Sequence, residues 1–246
     1  MPATPAWPPQ STPRLYVESE LAPGPLRIDG PPAHYLIAVM RLKAGDPVKL
    51  FDDRTGEWLG VANTVGRRDI VLDVTERLRE REAVPDLWLC AAPLKKGRID
   101  WMVEKACELG VARVVPVVTR RSVVDNPKAD RLRAHMVEAA EQCGRTALPE
   151  LAETVKLAAL LRDWPADRAL FFADETGGAP ALEAMRAVPG PAAILIGPEG
   201  GFDSDERAAI RATPRAVGIS LGPRILRADT AAAVAVSLWM GANGDW

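Results

Sequence analysis

The chain has 246 residues, of which 48% are hydrophobic and 26% charged, with a formal net charge of −2. That length allows one large or two small domains with real cores, and the balance is that of an ordinary soluble protein. It excludes a disordered polyelectrolyte, and no apolar run approaches the roughly 20 residues a membrane helix needs.

Residues 1–13 hold five prolines, no basic start and no apolar stretch, so they are expected to be a disordered Pro-rich leader rather than a secretory signal. Residues 14–82 read as short strands at 15–17, 48–51, 58–63 and 70–74, separated by turn residues such as Asp52-Asp-Arg-Thr-Gly56 and by one helical stretch at 33–42. Many short strands with close turns suggest a small β-barrel. The charged run 76–82 reads as a linker to a second domain, 83–246.

After Pro85 the pattern changes. An apolar strand at 87–92 precedes Ile99, Met102, Val103, Ala106 and Leu109, which have helical spacing and end at Gly110. Strands are then expected at 111–118, 169–173, 192–196 and 216–221. Helices are expected at 128–142, 181–187, 203–212 and 230–240. Alternation of this kind means α/β architecture with a mostly parallel sheet covered on both faces.

Cys90, Cys107 and Cys143 include no CxxC pair and are expected to be buried free thiols of a reducing cytosol; His34 and His135 lie too far apart to suggest a metal site. The negative net charge argues weakly against a nucleic-acid partner, but its distribution does not. Residues 95–145 carry eleven Lys and Arg against seven Asp and Glu, whereas 146–246 carry nine against thirteen. A locally basic middle can face RNA.

Two segments carry chemistry. Ile194-Leu-Ile-Gly-Pro-Glu-Gly-Gly-Phe202 runs from a strand through a glycine turn to a helix, with Asp203 and Glu206 spaced as a capping box. Gly197, Gly200 and Gly201 let backbone approach a ligand at the C-terminal edge of the sheet. No Lys-Ser/Thr follows, so it is not a P-loop, and the spacing is not GxGxxG. Leu221-Gly-Pro-Arg-Ile-Leu-Arg-Ala-Asp-Thr-Ala231 also follows a strand, and its Thr230 can start the last helix. Its apolar pair Ile225 and Leu226 between two arginines suits a loop packed on a flat ligand.

IGPEGGF (196–202) and LGPRILRADTA (221–231), in this order, resemble the ribosomal RNA small subunit methyltransferase E family of the SPOUT superfamily. Arg14-Leu-Tyr-Val, the stretch from His34 through Arg41 to Gly45-Asp46, the run Lys95 to Gly110, Arg120-Arg-Ser122 and Glu141-Gln-Cys-Gly-Arg145 also resemble that family, so the likeness covers nearly everything from Arg14 on. Asp229 stands where the family usually has Glu.

The resemblance implies a trefoil-knotted methyltransferase domain behind a PUA-like β-barrel that docks RNA, working as a cytoplasmic homodimer. It also implies transfer of a methyl group from S-adenosylmethionine to N3 of a uridine, position 1498 of 16S ribosomal RNA, free or in the 30S subunit, without a metal. Glu175, Ile196, Gly197, Gly200, Gly201, Leu221, Gly222, Ile225, Leu226 and Thr230 are expected around the cofactor. Glu199 is expected to orient the second loop, Arg227 to meet the reacting base, and Asp229 to hold Arg227 or accept the proton. Arg14, Arg41, Lys43, Lys95, Lys96, Arg98, Arg120, Arg121 and Arg145 are the expected RNA contacts. The readings kept beside this one are a ribose 2′-O-methyltransferase of the same superfamily and a non-catalytic ribosome assembly factor that binds RNA.

Overall fold

The computed structural model describes residues 12–246, so most of the proline-rich leader lies outside the described residues. The chain divides between Glu82 and Ala83 into two compact units.

The first unit contains β1 (Arg14–Tyr16), β2 (Gly24–Asp29), α1 (Gly30–His34), a π-helical turn (Tyr35–Val39), β3 (Pro47–Phe51), β4 (Glu57–Val65) and β5 (Asp69–Arg79). The strands lie in the order β1-β3-β4-β5-β2, a half-barrel with β1 and β2 at its edges. Ile70, Leu72 and Val74 of β5 are buried in alternation and meet Leu15, Leu36, Val48 and Leu50 in one core. Strand β2 was not expected from the sequence. Pro25 masks it, yet a proline is tolerated there because β2 pairs only with β5 and forms an edge. The linker expected over 76–82 is corrected in part: Arg77 and Arg79 continue β5 opposite Trp58 and Glu57. The helix expected over 33–42 starts earlier, with Pro31 and Pro32 in its first turn, where a missing N–H costs no internal bond.

The second unit runs β6 (Leu87–Ala91), α2 (Arg98–Glu108), β7 (Arg113–Val118), α3 (Ala129–Cys143), β8 (Glu150–Leu151), β9 (Val155–Lys156), α4 (Leu157–Arg162), β10 (Ala169–Ala173), β11 (Ala179–Pro180), α5 (Ala181–Ala187), β12 (Ala192–Ile196), α6 (Ser204–Ala212), β13 (Ala216–Ser220) and α7 (Ala228–Asn243). Its parallel sheet has the order β11-β13-β10-β12-β6-β7-β8, with β9 beside β7. Along β12, Ala192, Ile194 and Ile196 face one apolar layer while Ala193 and Leu195 face the other, so the strand is buried on both sides. β12 pairs with both β6 and β10, so the chain inserts a late strand between two laid down earlier. β13 then pairs with the other side of β10.

Two expectations are corrected in this unit. Cys143, the last residue of α3, is exposed, while Cys90 and Cys107 are buried. Helix α7 begins at Ala228 with Arg227 as its N-cap residue, so Thr230 lies inside the first turn instead of starting it. The Thr230 amide donates to Asp229 Oδ1 at 2.8 Å. α7 buries Ala228, Ala232, Ala235, Val236, Trp239 and Met240 and packs on α2 and α5, so its alanine face belongs to the chain's own core.

Candidate active site

Strands β10, β12 and β13 are parallel neighbours, so their C-terminal ends and the loops that follow gather at one edge of the sheet. A cleft of about 390 Å³ opens there, with Ala173, Ile196 and Ser220 at the three strand ends. The glycine turn after β12 and the loop from Leu221 to Ala228 form facing parts of its wall.

The glycine turn is fixed at both ends. Gly201 has φ +65° and its amide donates to the Pro198 carbonyl at 2.8 Å. Asp203 caps α6 by accepting from the Glu206 amide at 2.8 Å, and Glu206 accepts in return from the Asp203 amide at 3.1 Å. The other Glu206 oxygen accepts from the Arg120 amide at 2.8 Å, tying the end of β7 to the same helix start.

The loop after β10 closes another side. Asp174 is buried; its Oδ1 accepts from the Thr176 hydroxyl at 2.7 Å and its Oδ2 from Arg211 at 2.5 Å. Burial alone would raise its carboxyl, but the Thr176 and Arg211 hydrogen bonds outweigh it and hold the group below its ordinary range. Arg207 donates to Glu175 at 3.2 Å and to the Phe202 carbonyl at 3.3 Å, so this carboxylate is pinned beside Gly201.

The structure brings together on the cleft wall Glu175, Ile196, Gly197, Glu199 and Gly201 with Leu221, Gly222, Ile225, Leu226 and Arg227. It leaves out Gly200, Asp229 and Thr230. Three expected contacts are corrected. Ile225 is 91% exposed while Leu226 packs against the core, so the two side chains do not act as one apolar pair. Glu199 pairs with Arg98 at 3.4 Å rather than with the second loop. Asp229 lies in the first turn of α7, where it accepts from the Thr230 amide, and forms no ion pair with Arg227 among the described residues.

The cations also sort themselves. Arg145 is buried and donates to the Cys107 and Val111 carbonyls at 2.6 and 2.7 Å. Arg14 is bound to Glu57 at 2.6 Å and lies over the Phe51 ring. Both hold the interior together, which corrects their reading as RNA contacts. Arg41, Lys43, Lys95, Lys96, Arg120 and Arg121 are exposed, and Arg98 is half-buried. Arg120 bridges Asp203 and Asp205 at 2.8 Å each, and Arg121 donates to the Gly200 carbonyl at 2.6 Å.

Sequence reasoning missed Arg207 and Arg211. Their spacing of four residues on α6, directly after the glycine turn, places both on one helix face and was the available signal. Among the described residues no group of three His, Cys, Asp or Glu side chains is gathered as a metal site requires.

Comparison with known proteins identifies the family. A model of the RNA methyltransferase domain matches residues 80–240, and a model of the RNA methyltransferase PUA domain matches residues 28–74. The chain is similar to the ribosomal RNA small subunit methyltransferase E of Bacillus subtilis, with 31% identity over 85% of this chain and 87% of that one. The enzyme of the same name from Rickettsia conorii is 28% identical over 91% and 93%. A methyltransferase of Legionella pneumophila, solved with its bound cofactor SAM, superposes with a TM-score of 0.86 at 28% identity over 96% of this chain and 100% of that one.

Proposed function

Because this chain belongs to the ribosomal RNA small subunit methyltransferase E family, with a parallel α/β sheet in one unit and a PUA-like sheet in the other, we propose that it transfers a methyl group from S-adenosylmethionine to N3 of a uridine in 16S ribosomal RNA, position 1498. The observation that carries the reading is that segments 196–202 and 221–231, far apart in sequence, line one cleft.

The residues present fit the cofactor. The cleft has the volume of a small-molecule site, about 390 Å³. Gly197, Gly201 and Gly222 leave bare backbone at its walls, and Glu175 offers a carboxylate fixed by Arg207. When bound, S-adenosylmethionine supplies an electrophilic methyl on a sulfonium, so the N3–carbon bond forms as the carbon–sulfur bond breaks and a neutral thioether leaves.

Uracil N3 attacks well only after losing its proton. Arg227, exposed on the cleft wall at the N-cap of α7, brings a guanidinium to where negative charge develops on the base and favours the deprotonated form. The cleft carboxylates Asp174, Glu175 and Glu199 are each paired with an arginine, so solvent water takes the proton. Asp229 accepts from the Thr230 amide and stands outside the cleft lining. The unpaired or extruded uridine enters beside the glycine turn, and the cations Lys95, Lys96, Arg98, Arg120 and Arg121 take its flanking phosphates, as Arg41 and Lys43 do in the first unit. On this reading residues 14–82 dock RNA and 83–246 carry out transfer. The enzyme works as a homodimer in the cytoplasm, where ribosomal subunits are made.

The test is incubation of the purified chain with methyl-labelled cofactor and either naked 16S RNA or 30S particles, followed by nucleoside mass spectrometry. 3-Methyluridine is expected; a 2′-O-methylated nucleoside would overturn the N3 assignment, and no transfer to either RNA would leave a binding factor. The Arg227→Ala variant is expected to lose turnover by about a hundredfold or more, the scale of one lost charge-stabilising donor, while calorimetry finds its cofactor affinity within about threefold of the parent. Sedimentation of the full chain checks the dimer.

A further inference from the structure

Helix α2 directs Ile99, Met102, Val103 and Ala106 into the core. Trp101 points elsewhere and stays 40% exposed. Its helix neighbours three before and four after are Arg98 and Lys105, so an aromatic ring stands between two cations on one face. The Lys105 ammonium lies 6.0 Å from the ring centroid. Arg98 reaches Glu199 at 3.4 Å, which joins this face to the rim of the cleft.

Two of the three carboxylates of α2 are paired with cations, Asp100 with Arg131 and Glu108 with Lys105, while Glu104 stands 2.8 Å from His135 Nδ1. Lys95 and Lys96, exposed just before the helix, have no ion-pair partner among the described residues. Lys95 and Lys96 therefore leave unpaired positive charge at the start of this face, which suits a polyanion. The Arg98–Glu199 pair is partly exposed and holds little energy, so a phosphate can take its place.

We propose that Trp101 is a stacking platform for an unpaired base of the RNA strand that presents the target nucleotide, while Lys95, Lys96 and Arg98 take that strand's phosphates; the proposal rests on the RNA-methyltransferase reading above and assigns a contact to it. An indole ring stacks on any base, so it contributes affinity without sequence choice. Cations beside the ring anchor the backbone and set its direction.

The experiment compares Trp101→Ala and Trp101→Phe with the parent chain, using transcribed 16S RNA at fixed salt. It reads RNA affinity by fluorescence anisotropy, methyl transfer under steady-state conditions, cofactor affinity by calorimetry and oligomeric state by sedimentation. Trp101→Ala is expected to weaken RNA binding and raise the RNA KM about fivefold or more, the low end of what base stacking contributes. Trp101→Phe should recover most of that loss, with kcat, cofactor affinity and sedimentation unchanged in both. Equal RNA affinity in the parent and Trp101→Ala would overturn the stacking role alone. A changed sedimentation coefficient would overturn it in favour of a contact between two copies. A parent chain that binds RNA but methylates none would remove the transfer reading and leave the platform standing on the binding data.

Discussion

Arg14 and Glu57 show how a single residue can be misread from sequence. An arginine at the start of a strand in a domain expected to dock RNA looks like a phosphate contact, and nothing in the flanking residues says otherwise. In the fold its side chain is only 9% exposed, bonded to a carboxylate 43 residues away that Arg79 also holds at 3.0 Å. Removing Arg14 leaves a buried carboxylate with one partner fewer. The Arg14→Ala variant is therefore expected to lower the stability of the N-terminal sheet by about 2 kcal/mol in chemical denaturation, with the loss appearing in folding and not in RNA affinity alone. The same pair sets an acid limit. Burial would raise the Glu57 carboxyl, but Arg79 and Arg14 outweigh it and hold the group below its ordinary 4.5. A depressed folded value means that the stabilisation is complete above about pH 4.5 and fades as pH falls through the folded value. Unfolding measured across that range should show the parent losing stability on acidification more steeply than Glu57→Gln. Parallel curves would show that the carboxylate contributes no such linkage.

At the scale of elements, the glycine turn between β12 and α6 decides whether a nucleoside can be gripped. Gly201 needs a positive φ of +65°, and a Cβ there would stand 2.7 Å from Glu175 Oε1. Gly201→Ala thus strains the backbone and pushes the carboxylate off Arg207. It is expected to weaken cofactor binding about tenfold or more by calorimetry, equivalent to at least 1.4 kcal/mol. Gly200→Ala is the control, because its Cβ would meet Arg121 at an ordinary 3.4 Å, and its affinity should stay within about twofold. Equal losses in both variants would mean that the turn is merely fragile. Much at this scale was legible in the sequence. Strands with continuous apolar runs and helices with 3.6-residue spacing announced the alternation of the second unit, and Asp203 with Glu206 announced the start of α6. What stayed hidden has physical causes. The far half of β5 is solvent-facing and charged, so Arg77 and Arg79 read as a linker although they pair with β4. Strands β8, β9 and β11 have two residues each, too short to leave a period. Ile225 and Leu226 are adjacent and equally apolar, and only the path of the loop decides that one packs inward while the other is 91% exposed.

For the molecule as a whole, a net charge of −2 is a poor guide to its partner, because what RNA meets is a local field. Many acidic groups of the second unit are neutralised by the fold itself. Asp174 faces Arg211, Asp203 and Asp205 share Arg120, and Asp100 faces Arg131. Lys95 and Lys96 are left exposed beside the cleft without such partners. Counterion release then gives a quantitative expectation. Each phosphate neutralised steepens the dependence of log affinity on log salt by about 0.7 on single strands and 0.9 on duplex. The double variant Lys95→Ala/Lys96→Ala should therefore flatten the slope for 16S RNA by roughly 1.4 to 1.8, and it should do so without moving cofactor affinity, since neither residue lines the cleft. A single lysine in contact would halve that change. An unaltered slope would make both lysines solvated surface charge and shift the RNA path to the arginines after β7. The same titration on the Trp101→Ala variant separates the two contributions, because loss of stacking lowers affinity at every salt concentration and leaves the slope where it was.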